Sequence, residues 1–118
     1  MDGANPDGVW KSYFQTGLIK SIVHWKKGKL HGLSSFFSED SLLKKTIEYA
    51  DDLKNGYVVI YDSIGNIEVK LPYENDTLHG IAYKYYTNGK IKEEWIYDKG
   101  VIQGVKRIYD ESDGRLIE

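Results

Sequence analysis

The chain has no cysteine, and its 118 residues include two prolines and one methionine. Without cysteine there is no disulfide framework, no thiolate metal site and no thiol nucleophile; a reducing cytoplasm is compatible with that composition and is the expected location. No apolar run approaches the roughly 18 residues that a membrane-spanning helix requires. An excess of one charge is missing too. Sixteen basic residues nearly balance eighteen acidic ones, a formal net charge of -2, so no broad positive field invites a phosphate backbone, and nucleic acid is not expected as a partner. Residues 1–7 carry neither a basic residue nor an apolar stretch, so they read as a short tail and not, as they stand, as a signal peptide.

What the chain has is rings and glycines in phase. Aromatic residues make up 14% of it, too many for a disordered, charge-dominated chain. Gly8, Gly32, Gly56, Gly80 and Gly104 stand 24 residues apart each time. One place after each comes an apolar or aromatic residue (Val9, Leu33, Tyr57, Ile81, Val105), and five places after it a ring (Tyr13, Phe37, Tyr61, Tyr85, Tyr109). Farther on come Ile19, Leu43, Ile67 and Ile91, then the ring position of Trp25, Tyr49, Tyr73 and Tyr97, and finally His31, Asn55, His79 or Gln103 before the next glycine. A fixed period of this length signals a repeat architecture whose units stack. The repeat region is expected over 8–118.

Side chains at even separations share a face of a strand. Counted from each leading glycine, odd offsets are overwhelmingly apolar in both halves of the unit, as in Tyr57/Val59/Tyr61 followed by Ile67/Val69/Leu71/Tyr73. Even offsets of the second half are mostly charged, as in Lys92/Glu94. Two strands of about seven residues, joined by turns such as Gln15-Thr16-Gly17-Leu18, make each unit a β-hairpin. The expected fold is all-β: a single elongated, twisted antiparallel meander about nine or ten strands wide, near 45 Å at about 4.8 Å per strand.

Two stretches strain the pattern. Residues 38–55 combine an N-cap signal, good helix formers and a glycine stop, which favours a helix; the repeat phase of Leu43, Ile47 and Tyr49 favours a strand, and the phase is preferred. Ser41, Asp52 and Asp76 stand where glycine is typical of the unit, so longer or reshaped turns are expected there.

The unit, glycine, apolar, three residues, aromatic, then Gly-x-apolar, an aromatic and Gly-x-Leu-His-Gly, resembles the MORN repeat. It is most similar to the bacterial variant in antitoxins of the YwqK type. The resemblance covers Gly8 to Ile102, with a partial unit to Glu118, and is best in Gly8 to His31 and Gly80 to Lys92. It implies a meander of hairpins with no catalytic residue to carry over and a role as adaptor, tether or neutralising partner.

The residues taken singly point the same way. His31 and His79 share one slot with Asn55 and Gln103, so a turn-stabilising hydrogen bond is expected of them rather than catalysis or metal binding. No His, Asp and Glu cluster has metal-ligand spacing, and no cofactor is expected. Carboxylates occur in adjacent pairs such as Glu93-Glu94, which a strand turns to opposite faces, so general acid/base work is unsupported. Lys20, Lys44 and Lys92 share an offset, with Lys26 and Lys27 nearby, but Glu48, Glu68 and Glu94 interrupt that face; this is the weaker case for membrane lipid. The parity count also sets Trp10, Phe14, Phe36, Val58, Ile60, Ala82, Tyr86 and Ile108 apart from the ring-rich face. Seven of them, Trp10, Phe14, Phe36, Val58, Ile60, Tyr86 and Ile108, form the candidate partner-binding strip for another protein, which the resemblance to antitoxins implies is most specifically a toxin. Cover of the strip by neighbouring long side chains, or its burial in a homodimer, is the competing reading.

Overall fold

A computed structural model describes residues 6–118; residues 1–5, most of the expected N-terminal tail, lie outside that range. The described chain forms one open, all-antiparallel sheet with no helix. In chain order its strands are β1 (Gly8–Tyr13), β2 (Ile19–Lys26), β3 (Lys29–Leu30), β4 (Gly32–Phe37), β5 (Leu43–Ala50), β6 (Leu53–Tyr61), β7 (Ile67–Glu74), β8 (Thr77–Leu78), β9 (Gly80–Tyr85), β10 (Ile91–Asp98) and β11 (Val101–Ile108). The sheet runs β1-β2-β4-β5-β6-β7-β9-β10-β11, with β3 on β2 and β8 on β7. Its extents of 58 × 34 × 16 Å are those of an elongated single layer.

Residues 38–55 are a strand and its turns, not a helix: β5 occupies Leu43–Ala50 between β4 and β6. The reason is tertiary. Ile47 lies between Ser34 and Val58 on the neighbouring strands, and a helix there would forfeit both ladders and that burial.

Two kinds of turn alternate along the sheet's long borders. One border carries two-residue turns with φ positive at both positions, Lys27-Gly28 (51° and 82°), Asp51-Asp52 (50° and 72°), Asn75-Asp76 (49° and 69°) and Lys99-Gly100 (50° and 88°). These have the type I′ form that matches strand twist. Asp52 and Asp76 therefore leave the turn unchanged in length, contrary to expectation. Each accepts the left-handed conformation and gives something back: the Leu30 amide donates to Asp52 Oδ1 at 2.7 Å, and the Lys54 amide to Asp76 Oδ1 at 2.6 Å. The opposite border carries turns closed by an amide reaching back three residues, as Gly17 to the Phe14 carbonyl (2.9 Å) and Ser41 to that of Ser38 (2.9 Å). Ser41 takes a φ of 71° where its counterparts are glycine.

Next to each of these second turns the register slips by one residue. Ser12 pairs with Ser21 and Tyr13 with Ile19, so Lys20 is skipped; Lys44, Glu68 and Lys92 are skipped in the same way. Such a bulge adds one residue to one strand and increases local twist.

Candidate protein-binding face

Residues directly opposite each other in an antiparallel pair lie on the same face of the sheet. Trp10 is opposite Val23, Ser34 opposite Ile47, Val58 opposite Leu71, and Ala82 opposite Trp95. The early-strand residues expected to point away from the rings therefore share their face. The cause is the bulge. Counting offsets through a skipped Lys20, Lys44, Glu68 or Lys92 reverses the parity, so Ile19, Leu43, Ile67 and Ile91 stand opposite Tyr13, Phe37, Tyr61 and Tyr85, while everything beyond the bulge changes face.

The face so formed carries the core. Ser34, Ile47, Val58, Ala82 and Trp95 are at most 9% exposed. Burial of one such large apolar side chain stabilises the sheet by about 1.5 to 3 kcal/mol. Lysine stems cover its rings, with Lys45 Nζ 5.5 Å from the Phe36 ring centre, Lys54 4.9 Å from Tyr73 and Lys106 4.9 Å from Trp95.

Five of the seven residues of the expected strip, Trp10, Phe36, Val58, Ile60 and Ile108, thus share the core face, and Phe14 and Tyr86 fall beyond the strand ends. Val58 is core, and Ile60 lies between Lys45 and Val69, opposite both. Phe36 sits under Lys45 and opposite Ser21, while Trp10 is half exposed at the rim with Trp25 at 5.9 Å. Phe14 and Tyr86 fall just past the ends of β1 and β9, each under a bulge lysine (Lys20 at 5.9 Å, Lys92 at 5.6 Å), and the Tyr86 hydroxyl donates to the Tyr109 carbonyl at 2.7 Å. Ile108 pairs with Glu93 near the other rim.

The opposite face is the more open one. The residue after each leading glycine, Val9, Leu33, Tyr57, Ile81 and Val105, projects there and is 38% to 86% exposed. Successive members are two strands apart, about 10 Å, so the ladder crosses the sheet over roughly 40 Å. His24 and Glu48 stand beside Val9 and Leu33, whereas Pro72 and Ile96 stand beside Tyr57 and Ile81. The apolar character is therefore densest in the C-terminal half. There a shallow depression of about 180 Å³ lies among Glu94, Ile96, Val105 and Arg107.

Rings and charges hold this half together. The Tyr57 hydroxyl donates to the Ile81 carbonyl at 3.3 Å, and Lys70 Nζ stands 5.8 Å and 5.9 Å from the ring centres of Tyr57 and Tyr85. Burial pushes the phenols of Tyr57 and Tyr85 above their ordinary value, with the nearby Tyr83 phenol adding to it. Tyr109 is pushed the same way, chiefly because its hydroxyl donates to Glu94 Oε1 at 2.8 Å.

The two repeat-slot histidines do as expected. The Asp51 amide donates to His31 Nδ1 at 3.4 Å and the Lys99 amide to His79 Nδ1 at 3.2 Å, each tying a two-residue turn to the preceding one. No group of three or more His, Asp or Glu among the described residues could hold a metal ion.

Two stretches match a known repeat. Residues 6–27 and 78–99 fit the family model described as MORN repeat variant. No curated protein matches the chain. The MORN-matching stretches are β1 with β2 and β9 with β10, the hairpins of the first and fourth units. Between them lie the units whose turns carry Ser41, Asp52 and Asp76, and their hairpins continue the same sheet. MORN repeats are in general binding modules for proteins or lipids, a role that needs a surface more than a reacting group.

The ladder itself was visible in sequence as a 24-residue recurrence of apolar residues next to glycine. What sequence reasoning missed was its face. A register of turn-proximal bulges at the shared offset of Lys20, Lys44 and Lys92 was the available signal.

Proposed function

We propose that the chain is a non-catalytic, cytoplasmic protein-binding module, and in its most specific form an antitoxin or immunity protein that neutralises a toxin by covering its active or assembly surface. The observation that carries this reading is the exposed ladder of Val9, Leu33, Tyr57, Ile81 and Val105 on a single-layer sheet. Apolar groups left in water cost solvation that a partner relieves, and here His24 and Glu48 interrupt the row in its N-terminal half while Tyr57, Pro72, Ile81 and Ile96 run together in its C-terminal half, the kind of patch that marks an interaction surface. The resemblance to antitoxins of the YwqK type supplies the toxin as partner. Recognition by shape and apolar contact then rests on the rings and aliphatic groups of the open face, with no titratable group at its centre.

The test is isolation of the chain from its native cell with whatever binds it at one-to-one ratio, followed by the pair Leu33→Ser and Ile81→Ser. Loss of a toxin-like partner with an unchanged circular dichroism spectrum is expected; undiminished affinity would sink the ladder as the site. Phe36→Ser with Ile60→Ser, on the core face, is expected to lower stability before it touches binding.

A second reading, a scaffold or lipid-associated tether, has one observation in its favour. Lys26, Lys27, Lys29 and His31 gather with Asp51 around a surface hollow at the border of the first unit. Co-sedimentation with anionic vesicles, lost on replacing the three lysines by Gln, would favour it over the first.

A further inference from the structure

The charges on the open face are unevenly satisfied. Side chains at alternate positions of a strand share a face, so Lys70 of β7 stands on the same side as Pro72, one row away from the ladder. It pairs with Val59 on β6 and with Tyr83 on β9, and the two flanking strands fix its stem. Farther along that row Glu94 lies opposite Tyr83 on one side and Arg107 on the other, and there the charges meet: Arg107 reaches Glu94 Oε1 at 3.4 Å and the Tyr109 hydroxyl donates to it at 2.8 Å. Lys70 takes part in no ion pair among the described residues.

What surrounds its ammonium is aromatic. Nζ stands 5.8 Å from the ring centre of Tyr57 and 5.9 Å from that of Tyr85, and no other described lysine stands over two rings. Neither ring brings a countercharge at neutral pH, because burial pushes both phenols above their ordinary value. A ring face attracts a cation without accepting its N–H groups as an oxygen does, so the ammonium keeps donors for an acceptor from outside. The lysines over Phe36 and Tyr73 belong to the core face, where their stems cover rings. Lys70 instead stands next to the densest apolar part of the open face, that of Tyr57, Pro72 and Ile81.

We infer that Lys70 is a charged anchor beside the ladder and that it takes a carboxylate of the partner protein, an Asp or Glu side chain with an apolar side chain about 7 Å from it that rests on Pro72 and Ile81. The inference rests on the reading of the open face as a protein-binding surface and adds one charged contact to its apolar ones. A single cation suits a single carboxylate. A phosphate group carries more than one charge and is ordinarily held by several cations, and the next cation along this row, Arg107, is already held by Glu94.

The probe is a library of random peptides displayed on phage and selected on the immobilised full chain. Enriched peptides are expected to carry Asp or Glu with an apolar residue at the next alternate position, the spacing that an extended segment sets at about 7 Å. A synthetic copy of one such peptide, with its acid replaced by the corresponding amide, is expected to bind about ten-fold more weakly, the scale of one hydrogen bond to a charged group. Lys70→Met, which keeps the stem across the rings, is expected to lose the same factor, and the amide peptide should lose nothing further on it. Ile81→Ser should weaken both peptides alike. The replacement on the peptide side reads the contact in the unaltered chain, so it holds whatever Lys70→Met does to folding. No enrichment, enriched peptides without an acid, equal binding of acid and amide, or phosphatidylserine vesicles that bind through Lys70 where peptides do not would each overturn the proposal. Peptides lost on Ile81→Ser but indifferent to Lys70→Met would overturn it while leaving the ladder standing.

Discussion

The middle of the sheet and its two rims are built from the same repeat and behave differently. Val58, Ala82 and Trp95 are buried, while Trp10 and Val105, in matching slots or next to them, are half exposed or more. No second layer covers any of them. Burial in the middle therefore comes from flanking strands alone, and a unit is stable in proportion to its neighbours, as expected of a quasi-one-dimensional array. The rims are where that support stops.

The sharpest test of this contrast is a pair of matched truncations. Trp95→Ala, under Lys106 on β10 with a strand on either side, is expected to lower unfolding free energy in urea by about 3–5 kcal/mol, and Trp10→Ala at the rim by about 1 kcal/mol. Equal losses would mean that the rim is held as firmly as the centre. A smaller effect should come from Asp76→Gly, which keeps the positive-φ turn but removes the carboxylate that accepts from Lys54; a loss of about 1 kcal/mol is expected in the same assay. The smallest is a pH effect, to which Tyr57 and Tyr85 contribute together with Tyr109 near the rim. Tyr57 and Tyr85 have folded values raised above the ordinary 10.0, so the stability they contribute is fully present below pH 10 and is lost as pH rises through the folded values. A thermal midpoint that falls above pH 10, and falls less in a Tyr57→Phe/Tyr85→Phe variant, is the expected result.

Much of this molecule was legible before any coordinate. The five glycines and their rings specify the hairpin unit, and Leu43, Ile47 and Tyr49, by keeping phase, placed a strand where local propensity asked for a helix. The turns at Asp52 and Asp76 were harder, because sequence alone does not show that an aspartate tolerating positive φ also accepts from an amide beside the preceding turn, 22 residues earlier. The candidate strip was read on the wrong face for one reason. Strand parity is an exact count, and a single extra residue at Lys20, Lys44, Glu68 or Lys92 inverts it.

The sequence by itself determined the period, the two strands per unit and the apolar slots, because hydrophobic alternation and glycine placement are local properties. Only the tertiary structure decided which slots meet water. That depends on register between strands, which the turns and bulges set and no local pattern contains.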